Sequence, residues 1–300
     1  AEDGIRDVAV TGVQTCALPI CVAGQCGASL RDIVDGLRWA AGLRVCQRWA
    51  DTQDPAAGCA AWAPVNPTPA RVVNLSFGSQ QACGSEYQAA IDELWALGVV
   101  VVAPAGNAHD APARPANCQH VVGVAALNRD GFKTSYSNFG SGLTVATVGG
   151  DDAQGHWGGL LADPGLLGPV NEGVQGLGQP GWSAHYGSSF AVPLVSATLA
   201  MMWDLAPGLS ASQLVAGLKA SVRPHVASSL MAACSLDNPG RCVCSSGQCG
   251  AGILDADQAL AWAQAQAAGQ AWQAPTWPTE WLDTPELRAA VALEIGRAHV

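Results

Sequence analysis

Apolar residues along this chain follow two rhythms, one of helices and one of buried strands. In SLRDIVDGLRWAAGL, Leu30, Ile33, Val34, Leu37 and Ala41 share one helical face behind Ser29, a residue suited to cap a first turn. The next stretch, CQRWADTQDPAAGCAAWAPVNPTPA, is proline-rich and without period, and reads as a surface loop that Cys46 and Cys59 would close. RVVNLS and VVVVA are short apolar runs of the kind found in strands covered on both faces. SEYQAAIDELWALG between them predicts a helix ending at Gly98. Strand, helix, strand in that order makes a right-handed crossover. HVVGVAAL, from His120, predicts a third strand and LTVATV a fourth, while YGSSFAVPLVSATLAMMW opens a long apolar helix. The pattern is α/β: a mainly parallel, doubly wound sheet flanked by helices, with ligands expected beyond the carboxyl ends of the strands.

The two ends fall outside this pattern. TCALPI can be encoded by ACGTGTGCTCTTCCGATC and IGRAHV by ATCGGAAGAGCACACGTC, whose reverse complement shares all but the outermost bases. Unrelated protein termini have no reason to be complementary strands of one DNA, and this DNA resembles a short-read sequencing adapter. Residues 1–20 and 295–300 are therefore expected to be translated scars, set aside from fold reasoning. The reading places one large domain at residues 21–265. Residues 266–294, with Trp277 and Trp281 among prolines, would be a tail or the start of a C-terminal extension.

Net charge of −10, with only 14 lysines and arginines, argues against nucleic acid or an anionic membrane surface as partner. Every long apolar stretch is broken by proline, glycine or charge, so no bilayer span is expected. Of the 11 cysteines, Cys16 lies in the scar. The remaining even number suggests disulfides and an oxidising compartment. Cys234, Cys242, Cys244 and Cys249 are close enough in sequence for a zinc knuckle, but the C-x-C spacing and the lack of a nearby histidine favour disulfides there too.

Two segments stand where ligands are expected. APAGN ends the VVVVA strand with Ala105, Gly106 and Asn107, and GSSFAVP starts the long apolar helix with Gly187, Ser188 and Ser189. Singly they are a turn and a helix cap. Together they offer a serine at a helix N-terminus and a side-chain amide, the two parts of an oxyanion-stabilising nucleophile site.

At these residues the chain resembles the subtilisin-like serine proteases, the subtilases. GSSFAVP matches their G-T-S-M-A-x-P motif at Gly187, Ser189, Ala191 and Pro193, with Ser188 for Thr and Phe190 for Met. Ala105, Gly106 and Asn107 match the Asn motif, NLSFG the strand that pairs with substrate, and SYSNFG and CGAGILDADQAL two further segments, over residues 26–261 in all. The resemblance implies Ser189 as nucleophile, Asn107 as oxyanion donor, and Ser76, Gly78, Ala103, Ala105 and Gly106 along the substrate cleft. It also implies polypeptide substrates, a secreted monomer, a Cys83–Cys118 disulfide and no obligatory cofactor. Calcium often stabilises the family, yet the one suggestive carboxylate pair, Asp151 and Asp152, reads better as a solvated turn.

The family's D-T/S-G and H-G-T-H motifs, which carry the aspartate and the histidine base, are absent. His185, in the glycine-rich loop GLGQPGWSAHYG, and His225 read as surface histidines and not as a base. A truncated protease, incompetent as it stands, is the first reading. A peptide-binding relative without catalysis is one alternative. The other is an α/β-hydrolase, with G-x-S-x-G nearly met at Ser189 and His225 as base.

Overall fold

The computed structural model describes residues 13–14, 21–22, 25–26, 29–49, 58–151, 163, 165–171, 178–238, 241–285, 287–289 and 291–292. In chain order the strands and helices are β1 (Val13–Gln14), β2 (Cys21–Val22), β3 (Gln25–Cys26), α1 (Leu30–Ala40), β4 (Cys46–Trp49), β5 (Cys59–Trp62), β6 (Val72–Asn74) and α2 (Ser85–Ala96). They continue with β7 (Val100–Pro104), β8 (Val121–Leu127), β9 (Val145–Val148), β10 (Leu166–Asn171), β11 (Pro180–His185), α3 (Ser188–Leu205), α4 (Ala211–Ala220) and α5 (Ala256–Ala267).

The central sheet runs β1-β6-β7-β8-β9, and every pairing in it is parallel. Its four longer strands are mostly apolar, interrupted only by Asn74 and Thr147, because both faces are covered, and the pleat divides each run between two cores. Val73, Val101, Ala103, Ala125 and Ala146 face the cluster with Leu37 of α1 and Tyr87, Ile91 and Leu94 of α2. Val72, Val100, Val102, Val124 and Val145 face the cluster with Val192, Val195 and Leu199 of α3, Leu214 of α4 and Ala259 of α5. The predicted α/β architecture stands, with α1 and α2 on one face and α3, α4 and α5 on the other. Ser29 caps α1, its Oγ accepting from the Asp32 amide at 3.1 Å. By length and composition α3 would cross a bilayer, but in the fold it is the central helix of the second core.

Several expectations are corrected. Within the proline-rich stretch after α1 two short segments are strands: β4 and β5 pair antiparallel and Cys46–Cys59 closes them, as expected for that bridge. The glycine-rich loop before Ser189 contains a strand, β11, paired along its length with β10 from Leu166↔His185 to Asn171↔Pro180. His120 stands outside β8 with a φ of 65°. Asp151 is not solvated but 1% exposed, receiving hydrogen bonds from Arg241 Nε and Ser135 Oγ; Asp152 lies outside the described residues. A carboxylate is stable at that depth because an opposite charge and a donor meet it. The cysteine-rich segment holds Cys234–Cys242 and Cys244–Cys249, and Cys83–Cys118 joins as the resemblance implied. The tail folds back: Leu287, with Leu282 and Val291, packs against Phe132, Val226 and Met231. Val13 and Gln14 fall within the span read as translated DNA, and pair with Val72 and Val73.

Candidate active site

The carboxyl end of β7 and the start of α3 meet at one cleft of about 250 Å³, lined by Phe77, Gly78, Ser79, Gln80, Pro104, Gly106, Asn107, Ala113, Ser188 and Ser189. Gly187 precedes the helix with φ 143° and ψ 153°, a conformation open to glycine, and this turn carries the chain from β11 straight into α3. Its amide donates to Gly149 O and to Tyr136 Oη, each at 2.9 Å, which fixes the helix start to the end of β9.

Asn107 and Ser188 are clamped together. The Ser188 amide and its Oγ both donate to Asn107 Oδ1, at 2.9 and 2.6 Å, and Ser188 Oγ accepts from the Gly106 amide at 3.3 Å. With the amide oxygen held, Asn107 Nδ2 is left to donate; it stands 3.5 Å from the position of a Cβ on Gly187. Gly106 has a φ of 114°, and a side chain there would collide with Asn138, whose amide N–H donates from the main chain to Gly106 O at 2.9 Å. The turn that carries Asn107 thus needs glycine both for its dihedral and for its close neighbour.

Ser189 lies one residue into α3 and its Oγ donates to Ser76 O at 3.0 Å, while Ser76 Oγ donates to Ser189 O at 2.9 Å. The second bond has a cause in the helix itself. Pro193 has no amide hydrogen, so the Ser189 carbonyl four residues earlier lacks its helical donor, and Ser76 supplies one. Ser189 N–H, in the first turn, has no helical carbonyl behind it.

Ser76, Gly78, Gly106, Asn107 and Ser189 lie together at this cleft. Ala103 and Ala105 are not at the cleft: both are fully buried in the α1–α2 core, because alternation along an extended chain turns their side chains away from it. Phe77, Ser79, Gln80 and Ala113 were missed. Phe77 and Ser79 directly flank the motif residue Gly78 and Gln80 follows them, whereas Ala113 arrives through the antiparallel bridge of Ser79 with Arg114 and its own amide bond to Ala105 O at 2.7 Å.

Among the described residues no histidine nitrogen lies within hydrogen-bond distance of Ser189 Oγ. His185 stacks on Phe190, with ring centroids 5.1 Å apart. His225 is half-buried rather than superficial. Its Nε2 is 3.2 Å from Gly250 O, and burial holds its pKa below the usual histidine range. Gly250 packs on the backbone of Thr144 and Val145, at the amino end of β9, so His225 lies toward the amino ends of the strands, the opposite end from Ser189.

A parallel sheet between two helical layers, with a serine at the start of the central helix and an asparagine on the neighbouring strand end, defines the subtilase class. A profile of the subtilase family matches residues 8–239, and the chain belongs to that family. It is similar to an extracellular protease of Xanthomonas campestris pv. campestris, at 32% identity over 255 residues, 84% of this chain and 36% of that protein. An extracellular basic protease of Dichelobacter nodosus is 30% identical over 199 residues, 65% of this chain and 28% of the relative. This chain thus spans about a third of the length of these curated relatives. Among solved structures, a protease of Pseudoalteromonas arctica superposes with a TM-score of 0.64 at 31% identity, covering 80% of this chain and 60% of that one. The α/β-hydrolase alternative falls with the family match and with the position of His225.

Proposed function

We propose that this protein is a secreted serine endopeptidase in which Ser189 attacks the peptide carbonyl while Asn107 Nδ2 and the Ser189 amide stabilise the oxyanion. The observation that carries the reading is the Ser188 clamp, which holds Asn107 Oδ1 and leaves Nδ2 as a preorganised donor beside the nucleophile. Substrate is an extended polypeptide lying along residues 76–80. Ser79 spends its amide and carbonyl on Arg114, and by strand alternation those of Gly78 point the other way, toward a substrate backbone. Paired cysteines suit an oxidising exterior.

Attack requires a base to take the Ser189 proton, which the hydroxyl now donates in a hydrogen bond to the Ser76 carbonyl. The family supplies it as a histidine oriented by an aspartate, from motifs this chain lacks, so the chain alone is incompetent. Residues 21–294 would be assayed on casein and with a fluorophosphonate probe, alone and fused behind a subtilase N-terminal half bearing both motifs. The fusion is expected to cleave and to be labelled at Ser189. The chain alone should be slower by about 10⁶, the cost of removing the base as known for subtilisin, a relative. Rapid Ser189-dependent cleavage by the chain alone would assign the base to a histidine within it. A folded fusion that binds peptides without cleaving them would favour the non-catalytic relative.

A further inference from the structure

Lys133 is a buried charge with no part in the chemistry above. Its side chain is fully buried, yet its ammonium donates to three neutral acceptors: Thr134 O at 2.7 Å, Ser137 O at 2.9 Å and His109 Nδ1 at 3.1 Å. That uses all three of its hydrogens. For Nδ1 to accept, His109 must be neutral with its proton on Nε2, and Nε2 stands 3.2 Å from Ser235 O, ready to donate. The Nε2–H tautomer satisfies both contacts, and the Ser135 and Asn238 carbonyls also lie against the ring. The ring also leans on Phe139, centroids 5.2 Å apart.

His109 follows Asn107 by two residues and holds a φ of 50°, a left-handed conformation that is costly for most side chains unless the surroundings enforce it. The amides of Ala108 and Asp110 both donate to Asn138 Oδ1, at 2.8 and 3.1 Å, and that of His109 to Tyr136 O at 2.9 Å. The Asn107 turn is thus stapled to the segment that contains Lys133, and the imidazole ties it to the ammonium.

We propose that Lys133 and His109 are a positioning pair that holds the Asn107 turn in register with the start of α3, and so sets oxyanion stabilisation without touching substrate. The inference rests on the protease reading above. The charges facing the pair are Asp151 at the end of β9 and its partner Arg241 beside Cys242. Burial brings the Lys133 pKa down to about 7, with Asp151 pulling it back up. Burial and the Lys133 charge hold His109 below the usual histidine range, which keeps it neutral as an acceptor.

The test uses the cleaving fusion. Lys133→Met should lower kcat by about tenfold with KM nearly unchanged, the loss expected when buried acceptors lose a charged donor near the reacting centre. His109→Gly keeps the positive φ, removes the ring and should match that loss. His109→Asn, which tolerates the same φ and retains an acceptor near Nδ1, should recover most of it. ¹⁵N spectra of histidine-labelled protein should show His109 as the Nε2–H tautomer, an assignment that Lys133→Met abolishes. An unchanged kcat in folded His109→Gly, or an Nδ1–H tautomer in the unsubstituted protein, overturns the pair. Failure of the unsubstituted fusion to cleave would overturn the protease reading instead, and the tautomer would still decide the pair.

Discussion

At the scale of the residue, Asn107 is the side chain on which the proposed chemistry turns most sharply. Its two amide atoms have separate tasks: Oδ1 is consumed by Ser188, and only Nδ2 faces the chemistry. Asn107→Leu, of similar volume, is expected to lower kcat of the active fusion by about 10²–10³ with KM little changed, because the donor acts on charge present only in the transition state. That size is the one known for the oxyanion-hole asparagine of subtilisin, a relative. An unchanged turnover would reduce Asn107 to a turn residue. Ser189 and Asn107 were legible because each lies in a contiguous motif at a strand or helix end. The use of Ser188 as their clamp was not, since the bond joins residues 81 positions apart.

At the scale of the element, the two sides of the cleft are held by different devices. Pro193 leaves a carbonyl of α3 without its donor, and the bond from Ser76 that fills the gap ties the helix to the chain leaving β6. On the other core face, Cys83–Cys118 fastens the start of α2 to the approach to β8 across a sequence separation of 35. Gln88 doubles the link, accepting from the Gln119 amide at 2.9 Å and donating to Gln119 O at 3.2 Å. Replacing both cysteines by serine should cost about 3–4 kcal/mol, the loop-closure entropy for that length. Urea unfolding of the folded fusion without reductant reads it, and a loss under about 1 kcal/mol would mean that the side-chain link suffices. The β10–β11 hairpin escaped sequence reading because Gly168, Pro169, Pro180 and Gly181 are turn-formers by composition, and only mutual pairing makes them strands.

At the scale of the whole molecule, the titrating groups act together. His109 and His225 have pKa values lowered on folding, chiefly by burial, so the unfolded chain binds more protons as pH falls through the histidine range and stability drops there. Asp92 and Asp283, lowered by hydrogen bonds to their carboxylates, lose their contribution in more acid solution. Lys133, lowered from 10.5 to about 7, adds stability as pH rises between those values, again because the unfolded state holds the extra proton. Burial raises Tyr87 from 10.0 to about 12, which reverses the sign above pH 10. The melting temperature is therefore expected to climb from pH 5 to about 9 and to fall beyond 10. His225→Asn should flatten the acid part of the curve, and a profile with its maximum near pH 6 would contradict these assignments.

From the sequence alone came the α/β class, the order of β6, α2, β7, β8 and β9, and the two motif residues of the site. All depend on local period, on caps such as Ser29, or on short contiguous patterns. Only the folded chain decided which strand residues face the cleft and which the core: Ala103 and Ala105 looked like site residues and proved to be packing. It also turned Asp151 from a surface turn into a buried partner of Arg241, 90 positions away, and laid the tail on Phe132. The physical reason is common to these cases. Burial and charge pairing are properties of surfaces brought together across the sheet, and no window of sequence contains both sides.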